Sequence, residues 1–205
     1  MDHKKRMKEG LLYLPMDESV LKEQFKYLDL LTEYNNTLPS NTTLRQKLLR
    51  EMFGDIGDRC YVEAPLRANF GCKHVHFGNH VYANFNLTLV DDGHIYVSDD
   101  VMFGPNVTII TAAHPINAKL RKIGYQYNRD VYIGENAWIG ACATILAGVH
   151  IGKNTIIGAG SVVTHDIPDG VVAVGVPCKV LRKVNENDDI YYYKDQKIDW
   201  ENIEE

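Results

Sequence analysis

His114 carries an imidazole, a side chain able to move a proton near neutral pH because it titrates close to that range when unperturbed. It stands in Ala112-Ala113-His114-Pro115, where proline stiffens the turn, and Arg121, Lys122, Tyr125 and Tyr127 follow in the same stretch. Such a set can contact a ligand or a neighbouring subunit, with His114 as a candidate general base. A loop histidine satisfied by its neighbours is the plainer reading of the residue alone. His74, His76 and His80 lie close together and invite comparison with a metal cluster, since 74 and 76 would share one face of a strand. No spaced carboxylate or further histidine completes a definable ligand set, so no metal is expected. All three are read as solvated outward side chains, and His94 and His150 as exposed strand residues. Cys60, Cys72, Cys142 and Cys178 lack CxxC or zinc-like spacing and read as reduced thiols.

The element that must hold these residues is written between Val131 and Val163. Ile133, Ile139, Ile145, Ile151, Ile157 and Val163 recur at every sixth position, and glycine follows four of them. A helix asks for apolar residues at three and four, and a single strand alternates by two. A period of six fits a chain that turns a corner every six residues, the hexapeptide-repeat β-helix. The fold class expected is therefore mainly β, a left-handed parallel β-helix of hexapeptide repeats with an N-terminal helical segment. Three sides make a coil of eighteen residues, which stacks Ile133 over Ile151, Gly140 over Gly158 and Ala141 over Ala159.

Residues 1–55 read as the N-terminal helical cap. Leu21, Phe25, Leu28, Leu31 and Tyr34 form an apolar stripe after an N-cap at Asp17 or Ser19. Pro39 marks a loop, and a second helix runs from Asn41 or Thr42 to Gly54. Residues 56–184 form the β-helix domain, with the six-residue pattern worn between Tyr61 and Ile110 and broken by an irregular loop at 111–130. A loop of that length inside a compact repeat points to function. The sequence VVAVGVPCKVLRKV closes the domain as a strand pair, and residues 185–205 form a charged, aromatic tail. In it Tyr191-Tyr192-Tyr193 are expected to pack and Glu201 to Glu205 to fray.

The chain has 205 residues, 45% apolar and 24% charged, ordinary for a soluble globular protein. Its net charge of -5 speaks against a broad nucleic-acid surface. The basic start MDHKKRMKEG leads into no apolar signal region, and no stretch approaches a membrane span. A cytoplasmic protein without nucleic-acid or membrane partners is expected.

Several segments together resemble one family: YANFNLTLVDD (82–92), GPNVTIITAAHPI (104–116), NAWIGACATILAGVHIG (136–152) and IGAGSVVTHDIPDGVVAVGVPCKVLRK (157–183). With GLLYLPMDESVL and EYNNTLPSNTTLRQKLLREMFG near the N-terminus, the chain resembles the galactoside and maltose O-acetyltransferases of the hexapeptide-repeat acyltransferases. The resemblance implies a cytoplasmic homotrimer that moves acetyl from acetyl-CoA to a hydroxyl of a sugar or sugar-like acceptor, with active sites between subunits. His114 falls on the family's catalytic histidine, and Asn84 on an asparagine beside the acceptor. Ala141 falls where a backbone N–H meets the oxyanion. Asp92 matches an acceptor-binding carboxylate, and Asn69, rather than Phe70, is the best match to a second acceptor contact. Asp17 matches the maltose-type relatives, while Pro15 falls there against the galactoside type. For the CoA, the resemblance implies Asn84, Trp138, Ala141, Ala159, Thr164, His165, Lys179 and Arg182, with His165 replacing a commoner Lys and Lys179 an Arg. Competing readings are a xenobiotic acetyltransferase on the same fold, a β-helix zinc enzyme of the carbonic anhydrase type, and a scaffold without turnover.

Overall fold

The six-residue aliphatics fill a three-sided column in the computed structural model, which describes residues 1–203. Ile133, Ile139, Ile145, Ile151, Ile157 and Val163 are all buried, and they pair eighteen apart in parallel register: Ile133 with Ile151, Ile139 with Ile157, Ile145 with Val163. The first face carries Asp55–Ile56, Val75–Phe77, Ile95–Val97, Val131–Ile133 and His150–Ile151. The second carries Tyr61–Val62, Tyr82–Ala83, Met102–Phe103, Trp138–Ile139 and Ile156–Ile157, followed by the antiparallel pair Val171–Val174 and Lys179–Lys183. The third carries Arg67–Ala68, Thr88–Val90, Thr108–Ile110, Thr144–Ile145 and Val162–Val163. The expected β-helix of hexapeptide repeats is thus the architecture of the chain. Coils stack so closely at the corners that a Cβ on Gly140 would lie 2.6 Å from the backbone nitrogen of Ala159.

The worn register has a single location. From one face to the next the chain advances by six: Tyr82 to Thr88, Met102 to Thr108, Trp138 to Thr144 all stand at equivalent strand positions. At the corner from the third face to the first it does not. Thr144 to His150 is six, but Thr88 to Tyr96 is eight and Arg67 to His76 is nine. From Thr108 to Tyr132 the count is twenty-four, because the 111–130 loop is inserted there. Every surplus residue of the column enters at this one corner. The loop itself is more regular than expected: Ala112–Ala113 pairs antiparallel with Tyr127–Asn128, and a short helix, Ala118–Ile123, spans the stem between the Asn117 cap and a left-handed Gly124.

The first coil leaves strand edges that need partners. Helix α1 (His3–Lys8) precedes helices α2 (Glu18–Asn35, capped by Asp17) and α3 (Thr42–Met52, capped by Asn41). Side chains of the two longer helices close that end of the column. Tyr34 Oη and Arg45 Nη2 donate to the Val62 carbonyl at 2.6 and 2.8 Å, Gln46 Nε2 to Cys60 O, and the Asn35 amide pairs both ways with Leu66. Leu31, Tyr34, Leu48, Leu49 and Met52 join the column's core, whereas Phe25, assigned to the apolar stripe, stands 58% exposed.

The tail folds as a 3₁₀ turn and the hairpin Tyr191–Tyr193 with Gln196–Lys197. Its three tyrosines are exposed rather than packed. Of the expected frayed end, Glu204 and Glu205 lie outside the described residues. The four cysteines are free thiols, and no helix among the described residues is long and apolar enough to cross a membrane.

Candidate active site

The corner between the third and first faces gathers Asn69, Asp92 and the His114 loop on successive coils. Asp92 is buried, although the Asp-Gly sequence reads as a plain turn. Asn69 Nδ2 donates to its Oδ2 at 2.7 Å, and Gln126 Nε2 and Tyr13 Oη donate to its Oδ1 at 2.7 and 3.1 Å. Gln126 Nε2 also reaches Tyr13 Oη, and Asn128 Oδ1 lies 3.2 Å from the same hydroxyl. Burial and the Asp92 charge push the Tyr13 phenol up, so it stays a donor. Three neutral polar groups therefore hold one carboxylate in a fixed pose, and a saccharide hydroxyl is a natural further donor to it. The alternative at Asn69 is spatially distinct: Phe70 turns inward onto Met7, Tyr13 and Val20.

Asp91, one residue away, points into the core. Its Oδ1 accepts from Phe70 N at 2.6 Å, while Oδ2 has no partner among the described residues. Burial pushes its carboxyl up to about 7, with the Asp92 charge adding to the rise.

His114 is exposed on the hairpin, with Nδ1 2.9 Å from the Tyr125 carbonyl. A carbonyl only accepts, so this contact places the hydrogen on Nδ1 and leaves the Nε2 lone pair free, the tautomer a general base requires. Arg121 braces the following turn by donating to the Pro115 carbonyl at 3.0 Å and to that of Ile116. Asp17 serves α2 as its cap, accepting from Ser19 N at 3.1 Å and from the Ser19 hydroxyl; these bonds lower its pKa. A cleft of about 380 Å³ runs between Asp17 and the far end of the loop helix, lined also by Met16 and Ile123.

A second corner, from the second face to the third, carries Asn84, Ala141 and Ala159. Asn84 does not take the left-handed corner conformation; Asn86 and Asn106 do, with φ near +60°. Asn84 N donates to Phe103 O at 3.1 Å and its Oδ1 accepts from Phe85 N at 2.8 Å, while the side-chain NH₂ has no partner among the described residues. Ala141 and Ala159 stack through Gly160 N and Ala141 O at 2.8 Å. Neither alanine N–H has an acceptor among the described residues, which leaves two backbone donors on one small-residue groove.

The remaining candidates lie on the second face and toward the upper end of the column. Trp138, 52% exposed, stacks in register between Met102 and Ile156. Thr164 Oγ1 and His165 Nδ1 are 2.8 Å apart. Lys179 is exposed at the start of the last strand, whereas Arg182 is already bound to Asp188 by two contacts of 2.7 Å.

His74, His76 and His94 depart from expectation. His74 is buried, with Nδ1 2.7 Å from the Asp91 carbonyl, and desolvation brings its pKa down to about 4. It turns into the irregular corner and so does not share the outward face of His76. His76 Nε2 meets His94 Nδ1 at 2.8 Å, and both rings are half-buried; His80 is solvated and His150 is exposed on its strand, both as expected. His76, Tyr96, Tyr132 and His150 stack ring on ring along the first face at 4.5 to 5.0 Å. Among the described residues no group of three or more His, Cys, Asp or Glu could hold a metal ion.

Comparison with known proteins bears on this arrangement. Residues 6–57 match the maltose acetyltransferase hexapeptide capping motif, and residues 130–165 match the bacterial transferase hexapeptide repeats. A galactoside O-acetyltransferase of Lactococcus lactis subsp. lactis (strain IL1403) is 54% identical over 195 residues, covering 95% of this chain and 94% of its own. The chain belongs to the galactoside and maltose O-acetyltransferase family of hexapeptide-repeat acyltransferases. Within that family a solved galactoside acetyltransferase in complex with coenzyme A superposes with a TM-score of 0.92 at 42% identity, over 97% of this chain and 99% of that one. A hexapeptide-repeat acetyltransferase of Vibrio cholerae O1 biovar eltor, complexed with acetyl coenzyme A, aligns at 0.83 and 28% identity over 91% and 100%.

For this family member, sequence reasoning passes over Tyr13, Gln126 and Asn128, the residues that fix Asp92. A signal exists for two of them: Gln126 and Asn128 alternate along an extended segment, so both amides face one side. Tyr13 carries none, because it meets the loop through a bridge more than a hundred residues away in sequence, Tyr13 N to Gln126 O at 2.9 Å.

Proposed function

We propose that this chain transfers acetyl from acetyl-CoA to a hydroxyl of a sugar or sugar-like acceptor, with His114 as general base, at sites between the subunits of a cytoplasmic homotrimer. Family membership makes it an acetyl-CoA-dependent O-acetyltransferase. The observation that carries the reading is the likeness, along nearly the whole chain, to galactoside acetyltransferase in complex with coenzyme A. Four free thiols suit a reducing compartment.

In the proposed reaction the acceptor hydroxyl, oriented by Asp92, Asn69 and Asp17, gives its proton to His114 Nε2 as its oxygen attacks the thioester carbonyl. The carbonyl oxygen gains charge, and the free Ala141 N–H is the donor available to meet it. Asn84 assists with its side-chain NH₂. When the C–S bond breaks, the imidazolium returns the proton to the departing thiolate. The pantetheine arm lies along the Ala141 and Ala159 groove, with Trp138, Thr164 and His165 beside it, and Lys179 and Arg182 meet the CoA phosphates.

The division of these residues supports assembly. His114 and Asp92 stand at one corner and Asn84, Ala141 and Ala159 at another, about six extended residues or 20 Å away across the third face. A head-to-tail ring of subunits brings unlike corners together. Exposed Tyr61, Met102 and Trp138 on the second face offer apolar surface for such contacts. The test is CoA release measured over a panel of glycosides, free sugars and xenobiotic alcohols. Turnover restricted to xenobiotic alcohols, or absent with every acceptor, would overturn the reading.

A further inference from the structure

The peptide that joins Asn69 to Phe70 is held at both of its polar atoms. Its N–H donates to Asp91 Oδ1 at 2.6 Å, and its carbonyl accepts from Gln24 Nε2 at 2.9 Å. Asp91 reaches it from the next coil, inside the core, and Gln24 from α2, on the solvent side.

Gln24 also sets the side chain of Asn69. Its Nε2 lies 3.2 Å from Asn69 Oδ1, and an NH₂ group only donates, so the Asn69 oxygen faces Gln24. The Asn69 NH₂ then faces Asp92 Oδ2, at 2.7 Å. With the Asn69 amide turned over, two NH₂ groups would meet on one side and an oxygen would meet a carboxylate on the other.

Helix α2 is fixed in register with this corner on both sides of Gln24. Glu23 pairs with Lys73, and Gly71, at φ +58°, lies so close to Tyr27 that a Cβ there would run into its carbonyl. Asp91 is a costly acceptor for a single N–H. It is fully buried, and its Oδ2 has no partner among the described residues.

We infer that Gln24 and Asp91 are positioning residues for the transfer, acting through Asn69 to fix the amide that meets Asp92 beside the acceptor. The inference rests on the acceptor role proposed above for Asn69 and Asp92, and it adds two residues that act at one remove. Without the clamp Asn69 gains rotamers, and the acceptor must order it on binding.

The test joins kinetics to the side-chain amide spectrum of full-length protein labelled with ¹⁵N-asparagine. The acceptor is the fastest of the glycoside panel, methyl β-D-galactopyranoside being its first member. Gln24→Ala is expected to raise acceptor KM about 5-fold, the worth of one net hydrogen bond, with kcat and the Kd for CoA unchanged. Gln24→Glu, nearly isosteric, is expected to do more harm, because its carboxylate faces the two Asn69 oxygens; a side chain that only packs would rank the two variants the other way. Asp91→Asn keeps an acceptor for Phe70 N and holds KM within about twofold, whereas Asp91→Ala raises it. In an Asn69→Ala background Gln24→Ala adds nothing further. The Asn69 amide signal, assigned with Asn69→Ala, shifts in both Gln24 variants and can be read without turnover. The Gln24 variants decide the matter if Asp91→Ala does not fold. An unmoved amide signal, an unchanged KM in Gln24→Ala, or additive losses with Asn69→Ala would each overturn this role while wild-type turnover stands. Absence of wild-type turnover across the panel would overturn the proposed reaction and this role with it.

Discussion

Asn84 and His114 project from different corners of the same column, Asn84 where the second face meets the third and His114 on the hairpin where the third returns to the first. If both serve one reaction, they must come from different subunits. Mixing inactive His114→Ala and Asn84→Ala chains, by unfolding and refolding them together, is then expected to restore about a quarter of wild-type activity, the share of interfaces that pair two intact corners. Activity that stays at the level of the separate variants would place both residues in one chain's site.

His114→Ala alone is expected to lower kcat by at least about 10²-fold while the Kd for CoA stays within error. Steady-state kinetics and calorimetry on the same preparation check both halves. A variant that retains ordinary turnover would remove the imidazole from the chemistry.

Lys179→Ala is expected to raise KM for acetyl-CoA, with the increment shrinking as ionic strength rises. Arg182 is different, because Asp188 already holds its guanidinium. Asp188→Asn should therefore lower KM for acetyl-CoA if Arg182 meets the phosphates, and leave it unchanged if the pair only anchors the tail.

Asp91 and His74 oppose each other in acid. Asp91 has its pKa raised to about 7, so its contribution to stability is full below the usual carboxylate range and declines as pH rises from about 4 to 7. His74 has its pKa lowered to about 4, so its neutral form favours folding above about 6.5, and that stability is lost as pH falls toward 4. The two slopes largely cancel between those limits. Asp91→Asn is expected to unmask the histidine, giving a Tm that climbs from pH 4 to 6.5; a flat profile in that variant would contradict the assignment.

Ile139→Ala removes a fully buried side chain from the middle of the column and is expected to cost about 2–5 kcal/mol in chemical denaturation. Truncating Met102 to alanine, half-exposed on the outer side of the same face, should cost far less.

Much of the column was legible because its physics is local and periodic. Each aliphatic from Ile133 to Val163 meets a residue eighteen away, so one period encodes both the interior and the register. The helices were legible for a similar reason, with Asp17 and Asn41 capping as their types suggest, although Phe25 shows that a stripe is wider on paper than in the fold. The buried Asp92 network was not legible. It joins Tyr13, Asn69, Asp92, Gln126 and Asn128 through contacts separated by 23 to 115 residues, and no repeat ties them. His74 failed for the same reason: alternation along a strand assigns it outward, but an irregular corner turned it in. The placing of the residues proposed for the acyl donor and for the acceptor at different corners appears only once the strand pairs are counted.

That count carries a lesson about how the protein can change. Because every extra residue enters between the third face and the first, length can be added or removed there without shifting a single inter-coil pair on the other two corners. The 111–130 hairpin behaves like an exchangeable tool head on a fixed handle. Grafting a hairpin of another length between Ile110 and Val131 should leave the coil register of Ala141 and Ala159 intact, so new acceptors can be explored while the groove proposed for the acyl donor is inherited unchanged.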